Sequence, residues 1–285
     1  MVNTNLITFE ATMKKIILAT AATMLLSSTA NAATLFYQGG FSNDLYSFDT
    51  DTATETLVGD LGLGADSLGM AFGLGSVLYA FERASQSLYT IDTVTAASTL
   101  VGNAGIGAED FTISGDGTVG YATADNNLYS IDLGTGASTL IGATSTTLDG
   151  LTTAQSSVTI NGTMYAAGSV FGADGSNLFS VDVGTGALTL LGSTGVTSEA
   201  LSFDANGELF SHGNDGFLYT IDLATLNGTQ IGSTASNLVF GLAAQQDLAG
   251  AVPEPATWAF MIFGFGAIGG AMRRQRKANV KVSYA

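Results

Sequence analysis

Between residues 33 and 250 the chain alternates short apolar, β-branched and aromatic runs with turn residues, and it does so periodically. Five runs align: Leu45-Tyr46-Ser47-Phe48-Asp49, Leu88-Tyr89-Thr90-Ile91-Asp92, Leu128-Tyr129-Ser130-Ile131-Asp132, Leu178-Phe179-Ser180-Val181-Asp182 and Leu218-Tyr219-Thr220-Ile221-Asp222. Their aspartates stand 43, 40, 50 and 40 residues apart, and ten residues after each comes a glycine behind an apolar residue: Gly59, Gly102, Gly142, Gly192 and Gly232. The pattern reads as a strand, a turn closed by the aspartate, and a second strand. Gly134-Thr135-Gly136 and Gly184-Thr185-Gly186 supply positive-φ positions for the reversal.

Two further strands precede each hairpin. One is represented by Leu35-Phe36-Tyr37, Leu78-Tyr79-Ala80, Gly120-Tyr121-Ala122, Met164-Tyr165-Ala166 and Leu209-Phe210-Ser211. The other is represented by Gly69-Met70-Ala71-Phe72 and Ala200-Leu201-Ser202-Phe203, with turn residues such as Asp204-Ala205-Asn206-Gly207 joining the two. Four strands in about 43 residues is the length of a propeller blade. The 50-residue spacing predicts a loop insertion over 168–176. The repeat region begins at the second strand of a unit and ends on a lone first-type strand over 238–242. An open array would leave both edges unpaired, whereas a ring pairs them. The expectation is an all-β fold: a closed five-bladed β-propeller of four-stranded blades, completed by that last strand. The repeat also resembles units of PQQ-like bacterial propellers, a likeness of fold that transfers no function.

The two ends differ from the body. Met13-Lys14-Lys15, an apolar stretch to Leu26 and a small-residue site ending at Ala32 have the form of a signal peptide over 1–32. Residues 1–12 carry Glu10 and fit this form poorly, which places the functional start at Met13. At the other end, Pro253-Glu254-Pro255 is followed by 17 uncharged residues, 256–272, and then by Arg273, Arg274, Arg276 and Lys277. That run is at the short end of what spans a bilayer as a transmembrane helix. Trp258 and the basic cluster act as interfacial anchor and topology signal, with residues 278–285 as a cytoplasmic tail.

Together, Pro253, Glu254, Pro255, the helix and the arginines resemble the PEP-CTERM sorting signal over 251–277. The resemblance implies a Gram-negative exosortase as partner, export across the inner membrane, transient anchoring through residues 256–272, and release or attachment at the cell surface. It also carries an association with exopolysaccharide.

Composition removes several chemistries. With no cysteine and one histidine among 285 residues, disulfide scaffolds, cysteine nucleophiles and multi-histidine metal sites are excluded. The net charge of −16 conceals a division. Residues 33–250 hold 22 acidic residues against a single cation, Arg83, so the body carries −21 and the flanks +5. Such a body repels polyanions, and nucleic acid is not an expected partner.

The repeated aspartates Asp49, Asp92, Asp132, Asp182 and Asp222 read as turn-closing residues spread around the ring. A paired-carboxylate glycosidase site would instead converge. Asp49-Thr50-Asp51 and Asp204-Ala205-Asn206-Gly207-Glu208 alternate hard oxygens as calcium sites do, but neither continues into a full loop. His212, beside a turn, reads as a surface residue, and Arg83 as an exposed partner of Glu82. The strand tyrosines read as blade-to-blade core. No catalytic, cofactor-binding or metal-ligating residue is assigned. The expectation is an exported, non-enzymatic surface or matrix protein. The alternative is a secreted propeller hydrolase or lyase acting on polysaccharide, marked by carboxylates converging on the central channel from non-equivalent positions.

Overall fold

The structure is a computed structural model that describes residues 33–245, except 41, 65–67 and 237. The signal-peptide segment, the sorting motif Pro253-Glu254-Pro255, the span at 256–272 and the basic cluster lie outside the described residues.

Five four-stranded antiparallel sheets stand around a common axis. Blade 1 combines β22 (Leu242–Ala244) with β1 (Thr34–Gln38), β2 (Asp44–Asp49) and β3 (Thr54–Asp60). Blade 2 is β4 (Leu68–Phe72), β5 (Leu78–Glu82), β6 (Ser87–Ile91) and β7 (Ser98–Asn103). Blade 3 is β8 (Asp110–Ile113), β9 (Val119–Ala124), β10 (Asn127–Asp132) and β11 (Ser138–Ala143). Blade 4 is β12 (Gly150–Thr153), β15 (Val170–Asp174), β16 (Asn177–Val181) and β17 (Leu188–Ser193). Blade 5 is β18 (Ser198–Phe203), β19 (Leu209–Gly213), β20 (Phe217–Ile221) and β21 (Gly228–Ser233).

The inner strands β22, β4, β8, β12 and β18 neighbour one another in a closed cycle, so the array is a ring. Closure comes from β22 pairing antiparallel with β1, Leu35 opposite Ala244 and Tyr37 opposite Leu242. The closing strand therefore lies a few residues beyond the 238–242 expected from sequence. Gly241 comes just before it, close against the backbone of Leu68. The core lies between blades, with Leu35, Leu45, Phe48, Leu68, Leu78 and Leu88 all at 0% exposure.

The insertion is not at 168–176. Residues Val170–Asp174 form the second strand of blade 4 and pair with β12. The inserted piece is a separate hairpin, β13 (Val158–Ile160) and β14 (Thr163–Tyr165). Met164-Tyr165-Ala166 therefore belongs to the insertion and not to the blade. The hairpin turns through Asn161 and Gly162, both at positive φ, as a two-residue turn requires. Bonds between Ala154 and Ser169 (2.9 Å) and between Gly168 and Ala154 (2.7 Å) close its base.

Antiparallel order fixes two faces. The turns between first and second and between third and fourth strands open on one face, and the inserted hairpin sits there. The turns between second and third strands, and the links between blades, open on the other. The Gln245 N–H donates to Thr34 O at 2.7 Å, so the chain leaves the ring on the hairpin's face.

The offset of ten between aspartate and glycine has a packing cause. The end of each outer strand meets the start of the next blade's outer strand. Ser138 Oγ donates to Ala104 O at 2.7 Å, Ser98 Oγ donates to Leu61 O, and Gly228 N–H donates to Thr194 O at 3.1 Å. A Cβ on Gly102 would collide with the carbonyl of Thr135, and one on Gly142 with that of Thr185. At the seam, Ala235 N–H donates to Glu55 Oε2 at 2.7 Å, completing the circumference.

Candidate functional site

The five repeated aspartates hold turns, one per blade. Each begins the pattern Asp-x-x-Thr-x. Asp92 Oδ1 accepts from the N–H groups of Val94 (2.8 Å) and Thr95 (2.9 Å). Asp132 does the same with Gly134 and Thr135, and Asp222 with Ala224 and Thr225. Asp49 accepts from Asp51, Thr52 and the Thr52 hydroxyl, and Asp182 from Gly184. These bonds hold all five carboxyls below the usual range. The fifth residue of each pattern takes positive φ: Gly136 and Gly186, but also Ala53, Ala96 and Leu226. Asp204 caps its own turn through Asn206 and Glu208 N–H groups. Among the described residues no three or more His, Asp or Glu side chains are grouped to hold a metal ion.

Hydrogen bonds tie neighbouring inner strands together around the central channel. Side-chain oxygens on one inner strand bond the next: Thr112 to Thr153 Oγ1 at 3.1 Å, Thr152 Oγ1 from Phe203 N–H at 2.9 Å, and Ser202 Oγ from Ala244 N–H at 2.8 Å. The void among Met70, Phe72, Ile113, Gln155 and Leu201 measures about 10 Å³, barely one water molecule.

One carboxylate breaks the ring's symmetry. Where β4, β12 and β18 place Gly69, Gly150 and Ala200, β8 places Asp110. It is 1% exposed and accepts from Phe111 N–H (2.7 Å) and, across to the next blade, from Leu151 N–H (2.6 Å). Burial raises its pKa well above the carboxylate range. At the same end of the channel, Glu109, Asp149 and Glu199 come from three successive blades. Burial raises Asp149, with Asp174 adding to it, and burial raises Glu199, with Asp149 adding to it. This acidic mouth is absent from the sequence reading. Its signal was available, since Asp110 falls on a position that is otherwise glycine or alanine.

The inserted hairpin creates two clefts on the opposite face. One, about 530 Å³, lies between Tyr165, Ser169 and residues Ser180, Asp182 and Thr189 of blade 4. The other, about 440 Å³, lies between Ser114, Asp116, Thr118 and Tyr121 of blade 3. Ala167 and Gly168 form the wall shared by both, and Gly168 lies close against Gly115. The hairpin is anchored by Val158 and Ile160, buried among Phe171, Phe203 and Leu226. Asn161 secures its tip, donating to Leu223 O from its N–H (3.0 Å) and to Leu191 O from Nδ2 (2.8 Å).

Comparison with known proteins identifies the C-terminal segment, where residues 251–277 match the PEP-CTERM protein-sorting motif. The chain carries a PEP-CTERM sorting signal. No curated protein matches the chain. Among solved structures, a chain in the crystal structure of a nidogen/laminin complex is 11% identical, with 75% of this chain and 98% of that one covered and a TM-score of 0.50. A symmetrical protein from a study of de novo evolutionary emergence is 15% identical, covering 74% of this chain and 97% of its own, at a TM-score of 0.47. The first likeness supports the propeller fold alone.

The PEP-CTERM signal implies export, anchoring of the C-terminus in the membrane before processing, and exosortase as the processing partner. Among the described residues no helix is long and apolar enough to cross a membrane; the expected span lies outside them.

Two expectations about single residues of the body also need correction. His212 is not a surface residue. It is fully buried in β19, with Nε2 at 2.8 Å from Thr234 Oγ1 and its ring beside Tyr37, and burial lowers its pKa to about 4. Arg83 pairs with Glu109 at 2.8 Å and not with Glu82. Glu82 is itself buried, accepting from Gly64 N–H and the Ser85 hydroxyl. Of the tyrosines, Tyr37 is fully core and bonded to Glu55, while Tyr46, Tyr89, Tyr129 and Tyr219 are half-buried between blades.

Proposed function

We propose that this is a non-enzymatic surface or extracellular-matrix protein whose propeller body serves binding or display after exosortase processing. The observation that carries the reading is the pairing of a PEP-CTERM signal with a ring whose inner strands are hydrogen-bonded to one another and leave only about 10 Å³ among Met70, Ile113 and Leu201. Propeller enzymes need a reactive group that a substrate can reach, and here the channel's own carboxylate, Asp110, has both oxygens engaged by backbone N–H groups. The body's acidity keeps it soluble, repels polyanions and draws divalent cations diffusely to its surface without a dedicated site. After processing the body is placed at the cell surface or outside the cell.

Fractionation of cells with and without exosortase tests the sorting. A shortened species outside the inner membrane should appear only when exosortase is present. A full-length inner-membrane species in both strains would overturn the reading.

The alternative, a secreted hydrolase or lyase acting on polysaccharide, is favoured by one observation. Asp149 and Glu199, both with raised pKa, share the channel mouth, and a general acid requires such a shift. Asp149→Asn with Glu199→Gln separates the readings: it abolishes any polysaccharide cleavage under the alternative and changes nothing under the first.

A further inference from the structure

Beside the inserted hairpin the ring departs from fivefold repetition and makes concave surface. The volumes of the two clefts, about 530 and 440 Å³, fall in the range of small-ligand sites. Each cleft offers the same trio of chemistries. Tyr165 in one and Tyr121 in the other present an aromatic ring. Ser169, Ser180 and Thr189, or Ser114 and Thr118, present hydroxyls, and Asp182 or Asp116 stands at the rim. The bonds that Asp116 accepts from Ser114 and Thr118 all go to Oδ1, and Asp182 accepts from Gly184 through Oδ1 as well.

A ring that packs on C–H groups, set beside hydroxyls and a carboxylate that accept and donate hydrogen bonds, matches a pyranose. Neither cleft is lined by a cation. The body's one cation, Arg83, is committed to Glu109 on the opposite face. A uronate or sulfated sugar would therefore meet only carboxylates.

Tyr165 is also held rigid. Its ring sits edge-on to Phe171 at 5.2 Å, and Phe171 is edge-on to Phe203 at 5.5 Å, so little ordering remains for a ligand to impose.

We propose that the twin clefts bind a neutral saccharide chain, one segment on each side of the Ala167–Gly168 wall, with Tyr165 and Tyr121 as the stacking platforms. This rests on the binding reading given above and assigns it a face and a ligand class.

The test uses the full chain in detergent micelles against neutral glucose-, galactose- and N-acetylglucosamine-based oligosaccharides, with uronate oligomers as anionic comparators. Neutral oligomers should bind and uronates should not. Tyr165→Ala and Tyr121→Ala should each weaken binding by about tenfold or more. Because Tyr165 touches the core, Thr189→Trp provides a second variant: it fills the larger cleft from an exposed position and should block binding with the melting temperature unchanged. Asp125→Ala, on the other face, should bind as the parent does. Neutral saccharide bound equally well by all the variants would overturn the clefts and leave the binding function standing. Failure of the parent to bind any neutral saccharide, or preference for the uronates, would overturn the ligand class. Recovered oligosaccharide should be intact by mass spectrometry. Cleavage lost in the cleft variants would support the clefts while overturning the non-enzymatic reading.

Discussion

At the scale of single residues, glycine and histidine govern the fit between blades. Gly102 and Gly142 are required by the neighbouring turn, whose carbonyl occupies the space a Cβ would need. Gly102→Ala is expected to cost about 1–3 kcal/mol through overpacking, read as a lowered melting temperature. Gly105→Ala has open space, and its cost comes only from its positive φ. His212 makes a pH prediction. Its pKa falls from 6.5 in the unfolded chain to about 4 in the fold, because burial disfavours the imidazolium; Asp215 opposes the shift. The unfolded chain therefore binds the proton first as pH drops. The stability from a neutral His212 is complete above pH 6.5 and lost progressively toward pH 4, by about 3 kcal/mol in all. Denaturant melts of the parent and His212→Gln across that window should converge as pH falls. A constant difference between them would contradict the assignment. The burial itself was legible in the repeat, since His212 aligns with Phe81 and Ala173, each opposite a buried leucine. The adjacent turn sequence pointed the other way.

At the scale of elements, the hairpins were readable because the aspartate turn and the glycine recur at fixed offsets. The insertion was not. Met164-Tyr165-Ala166 and Val170-Phe171-Gly172 carry the same apolar-aromatic-small pattern as a second strand, and only pairing with β12 distinguishes them. The clefts were illegible for the same reason, since they follow from where the hairpin lies. The outer strands carry a further repeat feature. Leu57, Leu100, Leu140 and Leu190 occupy equivalent positions and are 57–59% exposed, while blade 5 has Gln230 there. The register shift in each third–fourth strand pair is a bulge, a common device for protecting edges. Leu100→Lys and Leu140→Lys should leave stability within about 0.5 kcal/mol and raise solubility. A large loss of melting temperature would show that these leucines contribute packing in spite of their exposure.

At the scale of the molecule, the ring is held by a strand from one end of the body pairing with a strand from the other. Terminating the chain before Leu242 removes the first strand of blade 1 and exposes Leu35 and Tyr37, both at 0% exposure in the closed ring. Such a chain should lose cooperative unfolding and become protease-sensitive. Retention of a sharp melting transition would mean that the ring does not depend on its clasp. Charge sorts at this scale too. The cations other than Arg83 all lie outside the acidic body of residues 33–250. The intact mass of the protein recovered outside exosortase-positive cells tests the whole account most directly. The account predicts a species that retains residues 33–245 and lacks both the signal peptide and the basic cluster at 273–277; a mass that includes that cluster would contradict it.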